Sequence, residues 1–495
     1  MKKHFFIFWL ALSLSGSTAL AQHAKPQIKK PVAAAVTTKP AAITSSSSLL
    51  SSQPTEVPIV TKTLANGLDV IVFKDSSVPV ATVELAVRNG SFTEPPELNG
   101  LSHLFEHMMF QTNDAVKRFR QGIPLASDKY LSQIGDLGIP QPNGRTQEEV
   151  VYYYYTAISQ DMPIIMQSLR DAVRFPTFDE KEFAGEKLNV IAELDRQEAS
   201  PFYYLDRELK DKLFYKYPTR KNPGGTRETV NSATTAQMRL IQARYYVPNN
   251  SALVVTGDVV PEDVFKKAEE LFGDWQKTDD PFKRFPLVEH PPLTASVGEV
   301  IQKPEVENVF ISIGWQGPSI GKDDASTYAA DVFSYILQQP NSRFQRNLVD
   351  SRLTSGVSVS YYTQRNVGPI QITAVTTPDK AQAAVKAIYT EIAAFNNPNY
   401  FTDEELESSK ALLAASELYD REKPSEYIHT LSFWWSTASV DYFRGYQKNL
   451  RATTRADISR YVSTYIQAKP HVGLALLSPD AQTAAKLTEK DLIGK

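Results

Sequence analysis

Gly100-Leu-Ser-His103-Leu-Phe-Glu106-His107-Met-Met-Phe110 places two histidines and a glutamate inside five residues of an apolar, helix-compatible run. On a helix, His103 and His107 leave the same face about 40° apart, so both imidazoles can reach one ion. Glu106 projects beside them. Two neutral nitrogens on a metal, with a carboxylate placed to take a proton from metal-bound water, make the donor set of a hydrolytic zinc centre. The remaining histidines, His4, His23, His290, His429 and His471, are scattered singly, so the close pair does not follow from abundance. Met108, Met109 and Phe110 read as ordinary core.

Such a centre takes a third protein ligand and leaves a fourth position to water. The stretch Asp179-Glu-Lys-Glu182-Phe-Ala-Gly-Glu186-Lys-Leu-Asn-Val-Ile-Ala-Glu193-Leu supplies candidates. It opens with an aspartate N-cap and a glutamate three residues on, the pattern of a capping box. Glu186 and Glu193 are two turns less 20° apart and share one helix face among apolar neighbours. Two carboxylates there are costly unless a cation or hydrogen bonds hold them.

H-x-x-E-H followed at long range by E-x6-E resembles the pitrilysin/insulinase family of inverzincin peptidases, including its mitochondrial processing peptidase branch. The resemblance implies that Glu193 is the third ligand of one Zn2+ per chain, that Glu186 supports the site, and that Glu106 is the catalytic base. It also makes the spacing from His107 to Glu193 about ten residues longer than the family pattern, with Asn113 to Ser127 as the insertion. Asn143-Gly-Arg-Thr146 is similar to the family's N-A-x-T segment, a sheet edge along which peptide substrate lies, which marks Asn143 and Gly144 as substrate contacts. Glycine in place of alanine is a departure. Tyr246-Val-Pro-Asn-Asn250, leading into Val254 to Asp258, is a further family-like block. On the residues alone, Tyr152 to Tyr155 also read as strand packing and Asn143 as a turn residue.

Lys2-Lys3, the apolar run Phe5 to Leu14, and Ala19-Leu20-Ala21 form the pattern of a secretory signal peptide over residues 1–21. The expectation is an exported bacterial protein, periplasmic or secreted after cleavage near Ala21. The run is too short for stable membrane insertion. Residues 22–55 are rich in Ala, Lys, Pro, Ser and Thr and read as a disordered tether. The absence of cysteine excludes disulfides and leaves nitrogen and oxygen as the metal donors. With the six lysines of residues 1–55 set aside, residues 56–495 hold 47 basic and 56 acidic side chains, a net charge of −9. That balance argues against nucleic acid as a partner and gives no basic membrane patch.

About 440 residues exceed one core and suggest two domains. A faint repeat at an offset of 223 residues supports them. Phe178-Asp-Glu-Lys-Glu182-Phe183 recurs as Phe401-Thr-Asp-Glu-Glu405-Leu406, and Pro201 recurs as Pro424. The same offset carries His103, Glu106 and His107 onto Ser326, Ala329 and Ala330, and Glu186 and Glu193 onto Ser409 and Ser416. Every metal-site residue is lost in the second copy. The expected fold is therefore α+β, with a zinc-binding catalytic domain at 56–277, a Pro-rich linker at 278–294, and a degenerate, metal-free repeat at 295–484. Each domain is expected to be a mainly antiparallel sheet with helices packed on it. Strands are expected at Ala81–Val87, alternating as if half-buried, at Val150–Ile158 and at Ser251–Gly257. Helices are expected at Glu182–Glu198, Pro261–Phe272 and Thr402–Tyr419.

The family resemblance also implies an Arg and, seven residues later, a Tyr in the last domain, which hold the substrate carbonyl. Here those positions carry Val349 and Gly356, with Arg352 and Tyr361 nearby at the wrong spacing. The expectation is thus a zinc endopeptidase subunit acting on peptides or unfolded polypeptides. It would form a heterodimer with a homologous Arg/Tyr-bearing chain. The competing readings are a non-catalytic binding or assembly subunit that keeps the fold, and a zinc hydrolase of another bond.

Overall fold

Strand β3 (Val80–Val87) is the middle of a six-stranded sheet and is buried on both faces, not on one as its alternation suggests. A computed structural model of the chain describes residues 58–114 and 142–495. The expected leader, the tether and most of the expected insertion, residues 115–127, lie outside the described residues. The sheet's other strands are β1 (Ile59–Thr63), β2 (Asp69–Lys74), β4 (Asn143–Thr146), β5 (Val151–Ile158) and β6 (Ser251–Gly257), in the order β1-β2-β6-β3-β5-β4. Only β2 and β6 run parallel.

The second half repeats this design. Its strands β7 (Val297–Gln302), β8 (Val309–Gln316), β9 (Gly356–Tyr361), β10 (Pro369–Thr376) and β11 (Val472–Leu477) lie in the order β7-β11-β8-β10-β9, again with one parallel pair, β7 and β11. The helices keep register too. Helices α1 (Leu101–Met109), α3 (Glu180–Glu198) and α4 (Pro201–Leu213) start 223 residues before α5 (Asp324–Gln338), α6 (Asp403–Asp420) and α7 (Pro424–Thr437); α2 (Met162–Arg174) lies between α1 and α3. The α+β architecture with a degenerate repeat is therefore present, and the three strands and three helices expected from periodicity all form, with ends shifted by at most two residues.

Each half has its own core, and each lends a helix to the other. Val83, Leu85, Tyr153 and Tyr155 point from the first sheet into a core with Leu104, Phe105 and Met108 of α1. The alternate residues Ala86, Tyr152 and Val254 point to the opposite face, where α7 covers them with Tyr427, Ile428, Leu431 and Trp435. Reciprocally, α4 lays Leu205, Leu209 and Leu213 on Val472, Leu474 and Leu476 of the second sheet. This exchange explains why β3 is buried on both faces. It also gives Glu84 in mid-strand a partner, since His429 of α7 meets its Oε2 at 2.5 Å. The described residues fall in one compact unit.

Candidate metal centre

Helix α1 forms because Leu101, Leu104, Phe105, Met108 and Met109 recur at helical spacing and enter the first core, leaving His103, Glu106 and His107 on the other side. Its start is unusual. Gly100 sits at φ 85°, where a Cβ would meet the Gly225 Cα at 2.6 Å, so glycine is required. The free N–H groups are capped from outside the helix: Glu94 accepts from Ser102 N at 2.6 Å and from Gly100 N at 2.8 Å. Burial pushes the Glu94 carboxyl up despite these bonds.

Helix α3 opens as expected on Asp179, whose side chain accepts from Lys181 N and Glu182 N. The capping box is not reciprocal, however. Glu182 instead accepts from Thr112 N and Oγ1 at 3.1 and 2.6 Å, which ties the exit of α1 to the start of α3. The repeat copy, Thr402 with Glu405, forms the full box.

These two helices bring His103, His107 and Glu193 together, with one ligating atom from each lying within 4.8 Å of the others. Glu193 Oε2 is 3.4 Å from His103 Nε2 and 3.8 Å from His107 Nε2. Both are long for hydrogen bonds. They suit two atoms sharing one ion, because ligands about 2.0–2.1 Å from a tetrahedral zinc stand roughly 3.3 Å apart. The donor set therefore fits zinc. Glu186 is placed to orient it: His107 Nδ1 donates to Glu186 Oε2 at 2.9 Å, which leaves Nε2 to face the centre. Gln111 and Asn189 each donate to Glu186 at 3.0 Å and fix that carboxylate in turn. His103 Nδ1 is buried without a hydrogen-bond partner among the described residues.

The carboxylates dominate the local electrostatics. Burial pulls His107 down, but the Glu186 hydrogen bond and the charges of Glu106 and Glu193 outweigh it and hold the imidazole above its ordinary value. For Glu193, burial pushes up, yet contact with His103 and the charge of His107 leave the carboxyl below its ordinary value.

Glu106 is 7% exposed and stays off the donor cluster. Its Oε2 accepts from Thr146 Oγ1 at 2.7 Å. An ideal Cβ at Gly144 would lie 2.8 Å from Glu106 Oε1 and 3.1 Å from Phe110 Cζ, so a larger residue there would make the Glu106 carboxylate shift. Among the described residues β4 is the outermost strand of its sheet, and Asn143 on it is exposed, its Oδ1 accepting from Gly144 N. The Tyr152 to Tyr155 run is mostly strand packing: Tyr153 and Tyr155 are core, and Tyr152 stacks on His429 with centroids 4.8 Å apart. A polar cavity of about 270 Å3 opens beside His103 and Glu193, walled by Tyr203, Asp206, Arg207 and Lys210 of α4 and by Lys221.

The structure puts Val349 on a wide helical turn, Arg346–Asp350, and Gly356 at the start of β9. Neither carries a side-chain donor. Arg352 is exposed at φ 61°, and the Tyr361 hydroxyl donates to Pro318 O at 3.0 Å. Thr146, Glu94 and Gln111 were not singled out from sequence. Thr146 lies in the Asn143–Thr146 segment, where its hydroxyl has no sequence signal of its own, and nothing local marks the other two.

Residues 69–223 match the family described as "Insulinase (Peptidase family M16)", and residues 232–413 match "Peptidase M16 inactive domain". The uncharacterized zinc protease YmxG of Bacillus subtilis is 24% identical over 358 residues, covering 72% of this chain and 82% of that protein. The zinc protease PqqE of Helicobacter pylori is 22% identical over 411 residues, covering 82% and 89%. Among solved structures, a protease from Helicobacter pylori superposes with a TM-score of 0.74 at 20% identity, covering 84% of this chain and 99% of that one.

Proposed function

As the chain belongs to the M16 peptidase family, that of insulinase, we propose that it is the metal-binding subunit of a zinc endopeptidase that hydrolyses peptides or unfolded polypeptides in the periplasm. The observation that carries the proposal is the convergence of His103, His107 and Glu193 beside Glu106 and an outermost strand. Those three residues would hold zinc, which when bound supplies Lewis acidity to a substrate carbonyl and acidifies water at the site. Glu106 takes the proton of the attacking water on Oε1, the oxygen not engaged by Thr146, and returns it to the leaving amine. Glu186 keeps the proton on His107 Nδ1. Strand β4 offers its outer edge to an extended peptide, with Asn143 and Gly144 as contacts.

Residues 56–277 form the catalytic domain in this reading, 278–294 the linker and 295–484 the metal-free domain. A second, homologous chain supplies the carbonyl-binding Arg and Tyr, because Val349 and Gly356 cannot and Tyr361 is engaged with Pro318. Residues 1–21 direct export and are cleaved near Ala21, which leaves the chain periplasmic or secreted. The test is Glu106→Gln: the variant should keep its zinc and lose peptide cleavage, and a variant that still cleaves refutes the assignment.

A further inference from the structure

The turn that follows β4 is fastened to the other half of the molecule by a buried charged network that the hydrolytic scheme does not use. Glu148, Glu149 and Lys221 from the metal-bearing half and Gln364 from the other are 6, 5, 2 and 1% exposed. Lys221 Nζ donates to Gln364 Oε1 at 2.5 Å, Asn366 O at 2.7 Å and Val367 O at 2.9 Å, and lies 3.3 Å from Glu148 Oε2. Gln364 Nε2 donates to that same Glu148 oxygen. Glu149 accepts from Arg365 N at 3.0 Å and Asn366 N at 2.8 Å. The Arg365 guanidinium then donates to the carbonyls of Ser436, Thr437 and Ala438, closing the end of α7.

Burying these charges is expensive, and an apolar joint would hold the halves together at lower cost. What the polar network adds is position, since each group has a directed partner. Its place in the chain matters. Glu148 and Glu149 follow Thr146, which holds Glu106, by two and three residues, and Gly144 on the same strand packs against Glu106. Lys221 also forms part of the wall of the cavity beside His103 and Glu193.

We propose that Lys221, Glu148 and Glu149 are positioning residues that clamp the β4–β5 turn onto the Tyr362–Val367 loop, fixing β4 against α1 and thereby the place of Glu106 and of the bound peptide. This rests on the peptidase reading. It gives the metal-free half a share in the reaction without any chemistry of its own.

The experiment uses the full zinc-loaded chain purified from its host together with the homologous partner chain. Glu149→Gln keeps the side chain's shape but replaces one of its two acceptors with an amide. Amide hydrogen exchange at Asn143–Thr146 should quicken about tenfold, with zinc content unchanged. Cleavage of one fluorogenic peptide should show KM rising more than kcat falls, with kcat/KM down about ten- to a hundred-fold. Should Glu149→Gln fail to fold, Gln364→Ala leaves the Lys221–Glu148 pair in place and should give the same changes at smaller size. Arg343→Gln, which breaks the half-buried Arg343–Glu391 pair within the second half, should leave β4 exchange alone. Unchanged exchange in the folded clamp variant, faster exchange with unchanged kinetics, or loss of zinc would each overturn the proposal. A wild-type chain that stays without peptidase activity even when its homologous partner chain is added defeats the reading beneath it, while hydrogen exchange still decides whether the clamp holds β4.

Discussion

The two halves share strand order, one parallel strand pair and three helices in fixed register, yet among the described residues only the first presents a donor set. Where α1 carries His103, Glu106 and His107, α5 carries Ser326, Ala329 and Ala330, all fully buried. Where α3 carries Glu186, α6 carries Ser409, buried and accepting from Gln339. The difference is a handful of side chains on an unchanged frame. In the second half small residues let the helices close over the position; in the first, imidazoles and carboxylates keep it polar and open to a cavity. A fold of this kind states where a site can be built, and the side chains decide whether it is.

The comparison breaks most readily at Glu106, which has no counterpart in the second half. Glu106→Gln should lower kcat for peptide cleavage by about 10²- to 10⁴-fold while zinc stays bound, as read by steady-state kinetics and metal analysis. Retained turnover would remove the functional contrast between the halves.

A second test asks whether the metal-free half supplies anything to the carbonyl. Losing one preorganised donor typically costs about 2.7–4 kcal/mol of barrier, about a hundred- to a thousandfold in rate. The pure single chain should therefore cleave a peptide library slowly, and adding a homologous Arg/Tyr-bearing chain should restore the rate as a heterodimer forms. Full activity from a monomer, checked by its mass in solution, would return attention to Arg352 and Tyr361.

Within the site the comparison sharpens to two glutamates. Glu193→Gln replaces a charged ligand and should empty the site under a mild chelator, whereas Glu186→Gln, which only loosens His107, should weaken retention about ten- to a hundredfold. The reverse order would exchange their roles.

The smallest effect on activity belongs to the second half alone. Burial holds the Asp331 carboxyl up at about 7 against its ordinary 3.8, with the Tyr446 hydroxyl donating to it at 2.6 Å. The folded chain keeps this proton where the unfolded chain has released it, so the group's contribution to stability falls as pH rises from about 4 to 7 and is flat above. Asp331→Asn should remove that slope, and thermal melts should find the variant gaining on the wild type across that interval. A gap between the two that does not change with pH contradicts it.

How much of this was legible in the sequence follows the range of the interactions. His103, Glu106 and His107 declare themselves because a helix repeats within the motif, and the 223-residue repeat was readable because caps and prolines are local signals. Glu193 and Glu186 needed the resemblance as well as their spacing. The exchange of α4 and α7 was not readable: Leu205, Leu209 and Leu213 mark an amphipathic helix but not which sheet receives it. Glu84 in mid-strand makes sense only once His429, 345 residues away, is beside it. Glu182 looked like half of a capping box until Thr112 claimed it.

The first half should hold one metal ion and the second none. Anomalous X-ray diffraction across the zinc absorption edge, on crystals of the zinc-loaded chain, tests this most directly. One peak per chain is predicted, about 2.0–2.2 Å from His103 Nε2, His107 Nε2 and a Glu193 carboxylate oxygen. No peak there, or an equal one beside Ser326 and Ala330, would contradict it.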